Sequence, residues 1–429
     1  MVTGFSLALD RQLFVKDPSL SGLVFFILEE DVWMGVFANE QLYNAYRFLE
    51  TEDIIQYVKN LDLFLESEEI EVIEVSDGKI NHVYRLRSGE KTVIFKQAVP
   101  YARVVGESMP LPLDRVRIEA QVMEQYAKII PGCVPEVIHL DEVMAVVVME
   151  DMLPLEVGRT ALINGSESAS FAADVGEMSA KTLFYTSDFY LESPVKKKLQ
   201  ASLANPDMRQ LTEELVFDWP YSNHETNVFE EGMRSEVKFL SQDQRLLLEV
   251  AQLKHTFMTK SDALIHGDLH SGAIFVGEDR TVIFDTEFAL FGPFGFDLGQ
   301  FIANLFLNGL AFPAYKEKRF EQAKETWYAF AETFAHLWQT KSNERYTKVD
   351  GFHTIIMEEI FADLIGYTGC ELVRRAISIA QIPDMNIEQD EGLRMAARKN
   401  VLELGKYLIM ERKNIQSLEQ LSHWFQATK

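Results

Sequence analysis

Residues 264–299 of the chain read LIHGDLHSGAIFVGEDRTVIFDTEFALFGPFGFDLG. An apolar run ends at His266, and two further short apolar segments follow at 273–276 and 281–284. The four residues that separate these segments include Gly277 and suit a tight turn. The pattern predicts a β-hairpin that brings the polar residues before and after it to one rim.

Three carboxylates flank this hairpin: Asp268 precedes it, and Asp285 and Glu287 follow it. On an extended segment, side chains two residues apart point the same way, and Mg²⁺ is usually held by one or two carboxylates together with substrate phosphates. Asp268 has no obvious cationic partner in its own loop, which suits a catalytic base or a hydroxyl-orienting group in phosphoryl transfer. The alternative is a surface hairpin with solvated acids.

The composition restricts the classes of function. A chain of 429 residues suits two or three domains, and 47% hydrophobic residues with 30 Phe provide an ample core, so disorder is not expected. The formal net charge is −25 and basic stripes are lacking, which argues against nucleic acid and against anionic membrane surfaces as partners. An anionic nucleotide would therefore need local positive charge and a metal ion.

Cysteine content and hydropathy indicate the cellular setting. Cys133 and Cys370 are too few for a disulfide framework or a structural zinc site, so we expect a reducing, cytoplasmic environment. No apolar run approaches the roughly 20 residues of a membrane span. The run at 23–28 is followed at once by three acidic residues, without a small-residue cleavage site, so no signal peptide is predicted.

The first half of the chain carries a second strand pattern. Segments 71–75 and 82–86 alternate as strands, and the turn between them contains Gly78. Such a unit can lay backbone N–H groups over phosphates. With one glycine in the turn, an ordinary hairpin explains the same pattern, and both interpretations stand.

Lys96 lies inside the apolar run of a third predicted strand, 91–98. Lysine is rarely fully buried without a partner. A predicted helix capped by Asp114 carries Glu119 beside its apolar face, and this glutamate is the natural partner of Lys96. Kinases use such a pair to bring a lysine to nucleotide phosphates, although each residue could instead serve only the structure.

The run 143–149 is almost entirely apolar, which predicts a strand covered on both faces. Glu150 and Asp151 follow it where the chain of a two-lobed kinase would cross between lobes, and backbone groups there could meet an adenine. The second half of the chain has helical periodicity at 172–182, 242–257 and 316–338.

A further predicted helix, 369–379, carries Arg374 and Arg375 side by side. Neighbours on a helix point about 100° apart, so one guanidinium could face a cleft while the other forms an ion pair. Two arginines facing solvent are the alternative.

The motifs form a set: Asp77-Gly78 with Asn81, Lys96-Gln-Ala-Val-Pro-Tyr, Val105-Gly-Glu-Ser108 with Asp114-Arg115, Met149-Glu-Asp151, His266-Gly-Asp-Leu-His270, Asp285-x-Glu287, Gly292-Pro-x-Gly-Phe-Asp297 and Glu371-Leu-Val-Arg374-Arg375. This set resembles the methylthioribose kinase family, within the aminoglycoside- and choline-kinase-like superfamily. The similarity runs from about Tyr43 to near the C-terminus. His-Gly-Asp alone marks the superfamily, whereas the complete combination is far narrower.

The resemblance implies an α+β, protein-kinase-like fold with two lobes: a small β-rich N-lobe at 43–150 and a larger, mostly helical C-lobe at 151–429. Residues 1–42 would be an extension of unknown role. The implied activity is ATP-dependent phosphorylation of S-methyl-5-thioribose at its anomeric 1-hydroxyl, a step in methionine salvage, by a cytoplasmic homodimer.

The resemblance also implies roles for individual residues. Asp268 would orient or deprotonate the sugar hydroxyl, and Arg374 and Arg375 would meet the substrate or the transferring phosphate. Asp285 and Glu287 would hold Mg²⁺. The implied ATP-binding residues are Asn81, Lys96, Glu119, Met149, Glu150, Asp151, Asp285, Thr286 and Glu287.

Four positions depart from the related patterns. Ala273 stands where protein kinases place a metal-binding Asn, so metal binding must rest more heavily on the Asp-x-Glu pair. Thr286 stands where the family usually has Pro, and Lys79 where it usually has Asn. Met109 replaces a usual Trp, and as an apolar, adaptable side chain it could still pack in a lid.

Two other functions remain open at this point. A kinase of the same fold could act on another small alcohol such as choline, homoserine or an aminoglycoside, although twin arginines suit a neutral or anionic substrate better than a polycation. A non-catalytic nucleotide-binding protein would bind ATP without turnover, and the intact set of charged residues speaks against it.

Overall fold

The computed structural model describes residues 45–75, 80–103, 106–386 and 390–426. Residues Tyr46–Lys429 belong to one unit by their contacts. The predicted extension 1–42 and the turn with Asp77, Gly78 and Lys79 lie outside the described residues.

A five-stranded antiparallel sheet dominates the N-terminal part of this unit. The elements there, in chain order, are α1 (Thr51–Asn60), β1 (Glu71–Glu74), β2 (Asn81–Ser88), β3 (Lys91–Ala98), β4 (Tyr101–Ala102), β5 (Gly106–Pro110), α2 (Arg115–Ile129), β6 (Val137–Asp141) and β7 (Val146–Glu150). The strands of the sheet follow the order β1-β2-β3-β7-β6, so β3 is central. This position allows Lys96, on β3, to be almost fully buried.

Both faces of the sheet are covered, as the apolar run of β7 predicts. Val146 and Val148 belong to the apolar cluster that includes Ile54 and Val58 of α1. Val147 lies in a separate cluster with residues of α2 and β3. Alternate residues of a strand face opposite sides, and each side of β7 therefore meets a different helix.

The remainder of the unit is mostly helical, as the periodicity of the second half predicts. Its elements are β8 (Glu156–Val157), α3 (Gly158–Asn164), α4 (Phe171–Tyr185), α5 (Ser193–Ser202), α6 (Pro206–Glu213), α7 (Arg234–Leu240), α8 (Gln244–Thr259), β9 (Ala263–Ile265), β10 (Ile274–Val276), β11 (Thr281–Ile283), β12 (Leu290–Gly292), α9 (Gly295–Ala311), α10 (Lys316–Lys341), α11 (Phe352–Ile377), α12 (Glu391–Glu411) and α13 (Ser422–Gln426). Within the described ranges, no helix has the length and apolar character needed to span a membrane.

Helix α9 forms the centre of this helical part. All its residues from Gly295 to Leu310 are buried, and it packs against α10, α11 and α12. A helix that is buried on every side must be enclosed by other elements. Its first turns lie beneath the His-Gly-Asp loop and provide a fixed support for that loop.

The predicted hairpin is present. Strands β10 and β11 pair antiparallel, with Ile274 opposite Ile283 and Val276 opposite Thr281. Strand β9, which leads into the His-Gly-Asp loop, pairs with β12. The two pairings bring the end of β9 and the end of β11 to the same rim.

One geometric assumption about this rim is wrong. Asp285 has a left-handed backbone conformation with φ +65, and residues Thr286–Phe288 form a short 3₁₀ turn. Asp285 and Glu287 are therefore not on an extended segment, and they reach different partners.

Gly267 has a conformational requirement that can be tested. Its φ is +85, and a Cβ at this position would overlap the backbone carbonyl of Phe288. We expect Gly267→Ala to lower the free energy of unfolding by at least about 2 kcal/mol, because left-handed strain adds to a clash that the backbone cannot relieve. Chemical denaturation would measure the change.

Gly89 supplies the matched control, since its φ is +60 and open space surrounds the position of its Cβ. Gly89→Ala should show the conformational strain alone, about 1–2 kcal/mol. Equal losses in the two variants would contradict the proposed clash at Gly267.

Candidate active site

The His-Gly-Asp loop is held by side chains from the first turns of α9. The Asp297 carboxylate accepts hydrogen bonds from the backbone N–H groups of His266, at 2.6 Å, and Gly267, at 2.9 Å. The Gln300 side chain accepts from the N–H of Leu269 at 3.0 Å. The loop backbone is thus attached to a buried helix, which positions Asp268 rigidly.

His266 joins this loop to the end of β11. Its Nε2 donates to the carbonyl of Phe284 at 2.8 Å, and its Nδ1 accepts from the N–H of Asp268 at 3.3 Å. Both contacts are satisfied by the neutral imidazole with its proton on Nε2. The histidine is therefore a connector between the residue before Asp285 and the loop that carries Asp268.

Asp268 is surrounded by two arginines and a histidine. Its Oδ1 lies 3.0 Å from Arg374 Nη2 and 3.5 Å from Arg375 Nη2, and its Oδ2 lies 3.4 Å from His270 Nε2. Burial alone would raise the pKa of Asp268, but His270 and the two arginines outweigh it and hold the pKa well below its usual range. Its cationic partners, Arg374 and Arg375, come from a distant helix, and the neighbour within its own loop is His270, two residues further along.

The twin arginines do not divide their roles as expected. Arg374 and Arg375 both contact Asp268, and both also reach Glu371: Arg374 Nε lies 3.3 Å and Arg375 Nε 2.6 Å from its carboxylate. Long side chains on a helix lean toward the N-terminus and meet residues three and four positions earlier. Glu371 occupies both of those positions, so the two guanidinium groups converge, and neither faces solvent.

Lys96 forms the predicted pair with Glu119. Its Nζ lies 2.8 Å from the Glu119 carboxylate and 2.6 Å from Asp285 Oδ1. Burial would lower the pKa of Lys96, but the surrounding carboxylates, Asp285 foremost, raise it above its ordinary value. At Glu119, the effect of burial exceeds the opposing effect of the Lys96 charge, so the pKa of this carboxyl is raised. Lys96 therefore forms an ion pair that links the central sheet to the residue after the hairpin.

Glu287 has a partner that the sequence argument missed. Its Oε2 accepts hydrogen bonds from Asn81 Nδ2 at 2.8 Å and from Arg115 Nε at 3.1 Å. Arg115 is fully buried and also donates to Asn81 Oδ1 at 2.8 Å. It further binds the carbonyls of Val99, at 2.8 Å, and Pro112, at 2.6 Å. Arg115 therefore joins the start of β2, the 99–112 segment and the hairpin acid.

The arrangement fits one kind of metal site. Within the described part of the chain, no group of three or more His, Cys, Asp or Glu side chains is placed to hold a metal. The Asp285 side chain is 38% exposed, which leaves carboxylate surface for a cation, whereas that of Glu287 is 4% exposed. These residues suit a hard cation whose remaining ligands are substrate phosphates, rather than a self-contained metal centre.

Thr286 and the 149–151 segment have mainly structural contacts. The Thr286 hydroxyl donates to the Glu119 carbonyl at 3.0 Å and fixes the hairpin against α2. Glu150 accepts from the N–H of Glu136 at 3.2 Å, and Asp151 binds Arg85 through both carboxylate oxygens. Side chains of Glu150 and Asp151 are engaged by the protein, so contacts to a nucleotide here would fall to the backbone. Met149 is buried at the end of β7.

The chain matches the model of the "Phosphotransferase enzyme family" over residues 71–333. It is 42% identical over 387 residues to a methylthioribose kinase from Geobacillus sp. (strain WCH70), covering 90% of this chain and 97% of that protein. A methylthioribose kinase from Geobacillus kaustophilus (strain HTA426) is 41% identical over 389 residues, which are 90% of this chain and 98% of that protein.

The chain belongs to the methylthioribose kinase family. It is an ATP-dependent kinase, and membership of the family implies ATP use with a divalent metal ion. Among solved structures, the chain is similar to choline kinase from Cryptosporidium parvum Iowa II, with 12% identity, a TM-score of 0.49, and coverage of 88% of this chain and 99% of that one. The predicted family and the kinase-like α+β fold are confirmed.

Sequence reasoning missed several residues of this kinase site. Arg115, His270, Glu371 and Asp297 all stood inside motifs that carry the family resemblance, but no role was assigned to them. Arg115 and Asp297 have partners about 30 to 170 positions away, Glu371 meets its partners one helical turn along, and His270 lies in the same loop as Asp268, so only the motifs themselves could have drawn attention to these residues.

Proposed function

We propose that this chain transfers the γ-phosphoryl group of ATP to the anomeric 1-hydroxyl of S-methyl-5-thioribose, within methionine salvage. The main support is the position of Asp268, held between His270 and the twin arginines at the rim where Lys96 reaches Asp285. This arrangement supports a hydroxyl-orienting role for Asp268 and a phosphate-binding role for Lys96. The names of the relatives at 42% identity point to the same substrate.

The two halves of the reaction fall on different parts of the chain. The N-lobe, 43–150, binds the nucleotide, and the C-lobe, 151–429, binds the sugar. Lys96 binds phosphate oxygens, Asn81 at the start of β2 contributes to the nucleotide site, and the backbone at 149–151 receives the adenine. The buried pair with Glu119 supports this role, because it holds Lys96 in one place.

Mg²⁺ is the proposed metal, with Asp285 as its more accessible ligand and Glu287 as the second. When bound, Mg²⁺ would neutralise charge on the β- and γ-phosphates. Asn81 and Arg115 fix Glu287 from behind, which supports a carboxylate oriented before the nucleotide arrives.

Asp268 orients the sugar hydroxyl for attack along the line of the breaking bond. The bond between the γ-phosphorus and the bridging oxygen of ADP breaks while a bond to O1 of the sugar forms, and the hydroxyl proton passes to Asp268. A carboxylate with a lowered pKa is a weak base, so it takes the proton late, as suits a loose transition state in which positioning dominates. Arg374 and Arg375 neutralise charge near the acceptor.

The chain acts as a homodimer in the cytoplasm. Support for the cytoplasmic setting comes from Cys133 and Cys370, which are both free thiols. Family analogy supports the homodimer.

The alternatives receive less support from the site. Choline and aminoglycosides are cations, and Asp268 and Glu371 are already paired with the two guanidinium groups, so these acids offer a cationic substrate little free negative charge. A protein that only bound nucleotide would not need Asp268 to be enclosed by His270 and two arginines. The neutral sugar suits a pocket in which arginines and carboxylates nearly balance.

The proposal is tested by coupled ADP release with MgATP and four acceptors: methylthioribose, choline, homoserine and an aminoglycoside. We expect kcat/KM for methylthioribose to exceed the others by about 10²-fold or more. Phosphorus NMR should show the product phosphate coupled to the anomeric proton. Preference for another alcohol would establish the small-alcohol alternative, and ATP binding without turnover on any acceptor would establish the non-catalytic one.

A further inference from the structure

A third arginine, Arg159 of α3, lies beside the acceptor site. A Cβ built on Gly272 would stand 3.0 Å from Arg159 Nη1 and 2.9 Å from His270 Cε1. The Arg159 guanidinium and the His270 imidazole therefore both lie next to Gly272. The charge of Arg159 also acts on Asp268 and on Arg375. Arg159 is therefore close enough to influence a ligand held between these groups.

The twin arginines are already balanced by carboxylates. Arg374 and Arg375 share two acids, Asp268 and Glu371, at 2.6–3.5 Å. Two positive and two negative charges leave little net charge for an anionic group. A sugar 1-phosphate brings about two further negative charges, which this set alone would not neutralise.

Arg159 is incompletely satisfied among the described residues. Its Nε is buried and has no hydrogen-bond partner there. The nearest carboxylate oxygen, Asp384 Oδ2, is 3.6 Å away and also lacks a hydrogen-bond partner, and Nη2 has a long contact of 3.3 Å with Asn304. A guanidinium has five N–H donors, and leaving them unpaired in a buried site is unfavourable. An anion at the acceptor site would meet Nη1, the guanidinium atom beside Gly272 and His270, and add a contact to this arginine.

Asp384 is fixed by a chain of hydrogen bonds between buried polar side chains. Asn308 donates to Asp384 Oδ1 at 2.8 Å, and Arg319 Nε donates to Asn308 Oδ1 at 2.7 Å. Arg319 also binds Glu167 and the carbonyl of Leu162, which lies on the same helix as Arg159. These hydrogen bonds fix both Asp384 and α3, and they therefore restrict the position of Arg159.

We propose that Arg159 binds the phosphoryl group once it is on the sugar, and that Asp384 is a positioning residue that keeps Arg159 directed at that group. The inference rests on the proposed function, and it adds a cation that no motif indicates. Arg159 thereby favours the phosphorylated state of the acceptor over the free sugar.

The test uses Arg159→Gln, Arg159→Lys and Asp384→Asn in the full chain. Arg159→Gln should weaken binding of methylthioribose 1-phosphate, measured as a product-inhibition constant, by about 10- to 100-fold. The KM for methylthioribose and the Kd for ATP should change less than about threefold, because neither ligand has a phosphoryl group at this point before transfer. Arg159→Lys should restore part of the product binding, and Asp384→Asn should show a smaller loss in the same constant.

Arg412→Gln is the matched control, because Arg412 is also buried and pairs with carboxylates, Glu249 and Asp363, away from the site. It should lower thermal stability without a selective loss of product binding. Unchanged product binding in Arg159→Gln, or the same selective loss in Arg412→Gln, would overturn the proposal.

A second readout separates this inference from the assignment of substrate. Inhibition by inorganic phosphate in the presence of MgADP should weaken in Arg159→Gln whichever alcohol the wild type phosphorylates. A wild type inactive on methylthioribose would reject the proposed function. Phosphate inhibition unaffected by Arg159→Gln would reject the role of Arg159.

Discussion

Replacing Asp268 with asparagine is expected to lower kcat by about 10²- to 10⁴-fold while ATP binding is largely kept. Asparagine retains the shape and can still accept from Arg374, but it has no negative charge to receive the hydroxyl proton or to orient the hydroxyl as a donor. Steady-state kcat and calorimetric binding of an ATP analogue would measure the two effects. The nucleotide should be spared, because Lys96 pairs with Glu119 and Asp285, and within the described part of the chain Asp268 is hydrogen-bonded to none of these three side chains.

Asp363→Asn is a suitable control, since Asp363 is a buried acid that pairs with Lys260 and Arg412. It should change stability more than kcat. The lowered pKa of Asp268 adds a check on the wild type: the carboxylate stays ionised at pH values where a free aspartate is protonated, so its protonation should not reduce kcat even as the pH falls through about 4, the ordinary pKa of the residue. Near wild-type turnover of Asp268→Asn would remove the assigned role.

Glu287→Gln should raise the Mg²⁺ concentration needed for half-maximal activity by about 10- to 100-fold. Glutamine keeps an oxygen that can accept from Asn81 and Arg115, so the buried junction should survive while the charge that attracts the cation is lost. Titration of Mg²⁺ at saturating ATP would measure the shift. Asp285→Asn should have at least as large an effect, because Asp285 is the more exposed of the two acids.

The same experiment distinguishes a metal ligand from a purely structural acid. If Glu287 only anchors Arg115, the Mg²⁺ titration of Glu287→Gln will match that of the wild type, and thermal stability will fall instead. Glu167→Gln is the control for loss of a buried acid paired with arginine, since Glu167 binds Arg319, and its Mg²⁺ titration should not move.

Local signals in the sequence were enough for most of the architecture. The hairpin at β10 and β11 was predictable because two short apolar segments and a glycine-bearing turn encode it within a few residues. The pair of Lys96 and Glu119 was predictable because a lysine inside an apolar strand needs a nearby acid, and the next helix offers one.

Other features of the site could not be inferred from local patterns. Spacing suggested that Asp285 and Glu287 share an extended segment, but the backbone turns at Asp285. Thr286 is hydrogen-bonded to α2, and Glu287 is hydrogen-bonded to Arg115 and Asn81. All these partners are far away in the chain. Such tertiary partners outweigh the local preference for a regular strand.

Residue types and their periodicity predicted a β-rich first part, a helical second part and acids around a hairpin, and the resemblance carried by the motifs implied that these parts form a kinase-like fold. Which charges neutralise one another was decided only when the chain folded. Arg374 and Arg375 converge on Asp268 because α11 packs on α9, whose first turns hold the His-Gly-Asp loop. Burial then makes each charge depend on its nearest partners in space, and for Asp268, Arg374 and Arg375 these partners lie more than 100 positions apart in the chain.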